Sequence, residues 1–232
     1  MSHVDGIPLT GSRKHMQAGR YGVLLIGMII IMGCQKQPID GMQFTAENEG
    51  VIPKYRDPSD LRMDTSERGA TTEIATYYLR EGKRVLHGTQ TKRGTTYVEQ
   101  VEYVDGVGHG VDVVTDPEGV VQNLTTMRNG VKDGVVILWH PSGGVSRIEC
   151  YRAGKLEGFV VEFWEDGSIK REAEYREGKL DGVERVWYSR VQDSPWYIRK
   201  YKSGVLHGKE VWWDEAGNVV SEHNYIDGER AK

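Results

Sequence analysis

Residues 154–167 read Gly-Lys-Leu-Glu-Gly-Phe-Val-Val-Glu-Phe-Trp-Glu-Asp-Gly. The two glycines four residues apart indicate a tight connection, because glycine adopts positive φ angles without steric cost. After them, Phe159, Val161 and Phe163 occupy every second position, which is typical of a strand with one buried face. The Glu-Asp-Gly at residues 165–167 is a turn signal. This stretch predicts one β-hairpin unit, in which a second strand follows the turn.

The same unit recurs along two-thirds of the chain, with a period of 24 residues and one spacing of 26. A fixed period of this length is the signature of a repeat architecture. We therefore predict an all-β fold: a single-layer antiparallel sheet of repeated β-hairpins, about a dozen strands, spanning residues 76–232. The first and second glycines of the units, which we expect to be structural, are Gly106, Gly110, Gly130, Gly134, Gly154, Gly158, Gly178, Gly182, Gly204 and Gly208.

The composition agrees with this fold class and argues against several functions. Glycine supplies 29 of 232 residues, well above the usual ~7%. Lys plus Arg number 30 against 34 Asp plus Glu, and nucleic-acid binding needs a basic surface instead. Two cysteines cannot form a disulfide scaffold or a four-thiolate zinc site. The chain has no helical metalloprotease motif, phosphate-binding loop or nucleophile elbow, so we expect no enzyme, metal or cofactor.

Residues 1–33 predict a signal peptide with a helical apolar segment. Residues 22–33 are uncharged and almost wholly apolar, and Arg13, Lys14 and Arg20 precede them. Twelve helical residues rise only ~18 Å, too short for a ~30 Å hydrocarbon core, so a secretory signal is favoured over a membrane-spanning anchor. Either Met1 or Met16 could be the true start.

The apolar segment ends in Ile31-Met32-Gly33-Cys34. This sequence resembles a bacterial lipobox, which implies cleavage before Cys34 and acylation of that residue; an ordinary signal peptide with an incidental cysteine is the alternative. Residues 34–75 contain three prolines and no sustained periodicity, and we interpret them as the acylated cysteine and a flexible tether. The resemblance implies a bacterial cell-envelope location, the outer membrane facing the periplasm or the outer leaflet of the cytoplasmic membrane.

The repeat resembles the MORN repeat, and more closely the bacterial variant found in YwqK-like proteins. The resemblance is carried by Gly-Lys-Leu-x-Gly at 154–158 and 178–182, by Gly-Val-Leu-His-Gly at 204–208, and by a Trp or Phe five residues after four of the five second glycines. It implies an elongated single-layer array used for association with proteins or membranes. Some bacterial members of this group are antitoxins.

Aromatic residues are the candidate binding residues. One column follows the last four second glycines by five residues, and neighbouring aromatics should point to the opposite face of the sheet. The candidates are Trp139, Phe163, Trp164, Trp187, Tyr188, Trp212 and Trp213. A stabilising aromatic ladder is the plain structural alternative. His and carboxylate residues before each second glycine are too far apart, at ~9.6 Å for two strands, to share one metal ion, so we expect them to cap turns.

The leading hypothesis is a lipid-anchored extracytoplasmic scaffold that binds another protein through its aromatic-rich sheet surface. One alternative is a YwqK-like antitoxin or immunity protein that neutralises a toxin by occlusion. Another is a module that binds lipid headgroups or cell-wall glycans. A homodimer could also cover the apolar face, because a single-layer sheet has no second layer of its own.

Overall fold

The computed structural model describes residues 60–187 and 195–232. These residues form one antiparallel sheet of fifteen strands, whose order in the sheet is their order in the chain. The strands are β1 (Arg62–Arg68), β2 (Thr71–Arg80), β3 (Lys83–Arg93), β4 (Val98–Val104), β5 (Val107–Thr115), β6 (Val121–Arg128), β7 (Val131–Trp139), β8 (Val145–Arg152), β9 (Lys155–Phe163), β10 (Ile169–Arg176), β11 (Lys179–Trp187), β12 (Pro195–Lys202), β13 (Val205–Trp213), β14 (Val219–Ile226) and β15 (Glu229–Arg230). The predicted all-β, single-layer hairpin array is confirmed.

The sheet begins earlier than the sequence predicted. Strand β1 starts at Arg62 and β2 at Thr71, so residues 62–75, which were assigned to the tether, are part of the sheet. Seven consecutive residues of β1 pair with β2. The prediction was wrong here because most of β1 is exposed, and a strand that buries neither face shows no hydrophobic alternation. The predicted signal peptide, Cys34 and the rest of the tether lie outside the described residues.

Two kinds of turn alternate along the chain. At one end of the strands, the first glycine of each unit and the residue before it both have positive φ, as at Ala153 (48°) and Gly154 (82°), which is the pattern of a two-residue type I′ hairpin. At the other end, Gly167 donates its N–H to the Trp164 carbonyl (2.9 Å) and Trp164 donates to the Ser168 carbonyl (2.8 Å). That geometry is a three-residue loop with glycine at the left-handed position.

The second glycine of each unit lies inside a strand, not at the end of a tight connection as predicted. Gly182 has a φ of 137° and belongs to a bulge in which residues 181–183 oppose Glu174 alone. A Cβ atom on Gly182 would lie 2.7 Å from the Cβ atom of Glu174, a distance that two side chains cannot share. Glycine is therefore required here by close approach as well as by its φ angle.

Residues two positions after each second glycine form the centre of one face, which we call face A. Directly opposed residues continue this central row from strand to strand across most of the sheet. The central row comprises Ala75, Gln90, Val101, Asp112, Thr125, Val136, Glu149, Val160, Ala173, Glu184, Arg199, Glu210 and His223. The opposite face, face B, carries the residues that alternate with these.

Most of the buried residues lie on face A, whereas the alternating pattern had placed the burial on face B, where Ile148, Cys150 and Val211 are also buried. Val160 is 0% exposed, but its neighbour Phe159, which was predicted to be buried, is 40% exposed. Substantial contacts join only strands that are consecutive in the chain, so no second layer covers either face within the described residues. We infer that long side chains of the same face shield the central row, which explains why hydrophobicity alone did not identify it.

Candidate binding surface

Four predicted aromatics occupy the same position in successive hairpins. Each ends the first strand of its hairpin on face B and opposes an aliphatic residue or proline that starts the next strand. We call these eight residues the aromatic rim. The pairs are Trp139 with Val145, Phe163 with Ile169, Trp187 with Pro195, and Trp213 with Val219. The structure thus brings four of the seven predicted aromatics into one line, which runs across the sheet along one end of its strands.

The aromatic rim is partly accessible to solvent. All four aromatic residues are half-buried, while Ile169 is 36% and Val219 55% exposed. Apolar side chains that remain accessible in a row are typical of an interaction surface rather than of a core. The four rings also lie on alternate strands, so each is separated from the next by an intervening strand.

The turns beside the aromatic rim touch one another. The Nε2 atom of His140 lies 3.1 Å from the carbonyl oxygen of Phe163 in the next hairpin. This contact joins the turn after β7 to the end of β9, while the strand pairing sets the spacing of the hairpins. The described partner of the His140 side chain is this backbone carbonyl.

The remaining predicted aromatics lie elsewhere. Trp212 is on face A, opposite Tyr197, as its alternation with Trp213 predicted. Trp164 directly precedes the three-residue loop 165–167, and its indole nitrogen is buried without a hydrogen-bond partner. The ammonium group of Lys170 lies 4.9 Å from the Trp164 ring centre. Tyr188 lies outside the described residues.

Trp212 belongs to an aromatic cluster that sequence reasoning missed. Its ring centre lies 5.6 Å from that of Trp196 and 4.9 Å from that of Tyr197. The Arg199 guanidinium stacks 4.8 Å from the Trp212 ring and 4.4 Å from the Tyr197 ring. Arg199 already occupies the cation position over these two rings, so the rings do not offer that position to a ligand. We therefore assign the cluster a stabilising role on face A. Its signal in the sequence was Pro-Trp-Tyr at 195–197, directly after the insertion that obscures the repeat.

Glutamates in the central row are held by an arginine and a tyrosine. Glu184 accepts hydrogen bonds from Arg171 (2.8 Å) and Tyr201 (3.2 Å). One hairpin later, Glu210 accepts equivalent bonds from Arg199 (2.7 Å) and Tyr225 (3.2 Å). Both glutamates are 5% exposed, and buried carboxylates need such partners. This repeated arrangement explains how charged residues occupy positions that Val136 and Val160 fill in earlier hairpins.

Burial and these hydrogen bonds act in opposite directions on the pKa values. Burial alone would raise the pKa of Glu210, but the hydrogen bond from Arg199 and others hold that pKa below its ordinary value. Burial would likewise lower the pKa of Arg199, and the hydrogen bond to Glu210 contributes to raising it. Asp112 is different: burial first, and then the charge of Glu99, raise the pKa of its carboxyl group.

The row of His and carboxylate residues caps turns, as predicted. The Glu157 carboxylate accepts the N–H of Glu177 at 2.9 Å, and His207 Nδ1 lies 3.3 Å from the N–H nitrogen of Asp227. In both cases the donor is the positive-φ residue of the next type I′ turn. No group of three metal-binding side chains occurs among residues 60–187 and 195–232. In the same ranges, no helix has the length and apolarity to cross a membrane.

A comparison with protein families identifies one repeat. Residues 206–227 match the family described as a MORN repeat variant. The chain therefore contains a MORN repeat variant. This MORN repeat coincides with the hairpin of β13 and β14, and the preceding hairpins have the same turns and bulges. A search of curated proteins gave no match. MORN repeats suggest a repeat-based binding scaffold in general.

Proposed function

We propose that the protein is a lipid-anchored extracytoplasmic scaffold that binds another protein through the aromatic rim. The observation that carries this proposal is the line of four half-buried aromatics on successive hairpins, each beside an apolar partner. The described residues hold no cluster of metal ligands, and Glu149, Glu184, Arg199 and Glu210 of the central row are engaged in ion pairs. A binding role fits this arrangement better than a catalytic one.

The anchoring part of the proposal is supported by the sequence Ile31-Met32-Gly33-Cys34. Acylation of Cys34 would hold the sheet at the surface of a bacterial envelope membrane, with residues 35–61 between the lipid and β1. Mass spectrometry of the mature protein tests it. The expected N-terminus is an acylated Cys34, whereas an intact Met1 or an unmodified Cys34 would contradict the proposed location.

The binding part is tested by photo-cross-linking in cells that produce the full chain. A photoreactive residue replaces Ile169 in the aromatic rim, and the matched control replaces Val131, which is also exposed, at 43%, but lies at the opposite end of a strand. We expect one dominant protein adduct from position 169 that disappears in the Trp187→Ala background. Equal adducts from both positions would show that the aromatic rim is not the binding surface.

A further inference from the structure

The aromatic rim has a regular spacing that restricts what can bind along it. Its aromatic residues recur on every second strand, and two strand separations of ~4.8 Å amount to ~9.6 Å. The contact between His140 Nε2 and the Phe163 carbonyl, 3.1 Å, joins the turn after β7 to the end of β9. A partner that contacts every hairpin must therefore present a side chain about every 9.6 Å along a line across the strands.

A polyproline II segment has this repeat. It has three residues per turn and rises ~3.1 Å per residue, so every third side chain points the same way at intervals of ~9.3 Å. An extended β-strand presents same-face side chains every ~6.7 Å, and an α-helix presents them every 5.4 Å or, over two turns, about 10.8 Å. Polyproline II segments are also preformed and dock on surfaces lined by aromatic rings.

The charge of the neighbouring turns adds a second requirement. The turns that follow β5, β7, β9 and β13 contain six carboxylates and no Lys or Arg. These turns comprise residues 116–120, 140–144, 164–168 and 214–218. The carboxylates are Asp116, Glu118, Glu165, Asp166, Asp214 and Glu215. The turn after β11, residues 188–194, lies outside the described residues, and its sequence adds one arginine and one aspartate. The row of turns is therefore net acidic, with the Lys170 ammonium beside the Trp164 ring as a cation within it. A net acidic row attracts a partner of the opposite charge.

We propose that the partner presents a basic, proline-rich segment in the polyproline II conformation, which runs along the aromatic rim and places one apolar side chain per hairpin. Its lysine or arginine residues face the acidic turns. This inference rests on the proposed function, since it names the chemistry of the partner for the same surface.

The test is a titration of the full chain with synthetic peptides, followed by tryptophan fluorescence and calorimetry. The first probe is a twelve-residue peptide with four Leu-Pro-Arg repeats, which aligns its leucines every third residue. A scrambled peptide of identical composition is the control, and a leucine-matched amphipathic helical peptide of equal charge is the competitor. We expect the repeat peptide to bind about tenfold more tightly than either, and more weakly in about 0.5 M salt.

Two sets of variants locate the binding site. Trp213→Ala is expected to weaken binding of the repeat peptide about tenfold, while Trp212→Ala, on the opposite face at the next position, leaves it unchanged. Because loss of a tryptophan could disturb the sheet, a second variant reverses charges on exposed turn residues: Glu118→Lys with Glu165→Lys. This pair is expected to weaken binding at low salt and to leave thermal unfolding unchanged.

The inference is overturned if the scrambled or helical peptide binds as tightly as the repeat peptide, or if Trp212→Ala weakens binding more than Trp213→Ala. Failure of the peptides together with a position-169 cross-link that depends on Trp187 would reject the proline-rich partner alone. A position-169 cross-link that persists in the Trp187→Ala background would reject the proposed function itself.

Discussion

At the scale of single residues, Asp112 and Glu210 occupy equivalent positions of the central row but respond to pH in opposite ways. The pKa of Asp112 is raised in the folded protein, first by burial. Its favourable contribution to stability is therefore complete below the unfolded pKa of 3.8 and is lost as pH rises through the folded pKa. Asp112→Asn should stabilise the protein at pH 7 by roughly 1 kcal/mol. Urea unfolding should show this gain shrinking toward about pH 4, with Glu118→Gln, in an exposed turn, as the unchanged control.

Glu210 has the reverse dependence, because hydrogen bonds from Arg199 and others outweigh the effect of burial and lower its pKa. Its contribution is present above the unfolded pKa of 4.5 and is lost as pH falls through the folded pKa. Glu210→Gln should cost about 2–3 kcal/mol at neutral pH and progressively less in acid. Tyr225→Phe removes one of its hydrogen bonds and should cost about 1 kcal/mol. A cost for Glu210→Gln that is constant with pH would contradict the proposed ionised cluster.

At the scale of the hairpin, the two kinds of glycine have different sensitivities. Gly182 combines a φ of 137° with a Cβ position 2.7 Å from the Cβ atom of Glu174, whereas Gly167 has a φ of 85° and open space around it. Gly167→Ala should therefore cost about 1–2 kcal/mol, the penalty of a left-handed residue. Gly182→Ala adds a steric clash of about 1–3 kcal/mol. Denaturant unfolding of the two variants measures the difference, and equal costs would show that the bulge can open.

The hairpins were predictable from the sequence, whereas the face that they bury was not. Glycine spacing and turn signals identified the hairpins from residue 76 onwards, because those signals are local backbone requirements. They could not identify the buried face, because Glu184 and Glu210 are buried only through partners on neighbouring strands. Strand β1 was missed because it lies at an edge and is mostly exposed. The four aromatics of the rim were predicted as one column, because they recur at a fixed position of the repeat. Trp196 was missed, because its role depends on contacts between β12 and β13.

At the scale of the whole molecule, the sheet has no shared core within its described residues, because substantial contacts join only consecutive strands. Stability in such arrays is a sum of local terms and nearest-neighbour terms. A destabilising substitution at Val160, which is 0% exposed in β9, should therefore affect only the neighbouring strands. Val160→Asp buries an unpaired charge, and hydrogen exchange should show lost protection in β8, β9 and β10 while the amides of β13 and β14 stay protected. Val220→Asp, at a position 62% exposed, is the control and should change neither region. Uniform loss of protection across all strands in Val160→Asp would show instead that the sheet unfolds as one cooperative unit.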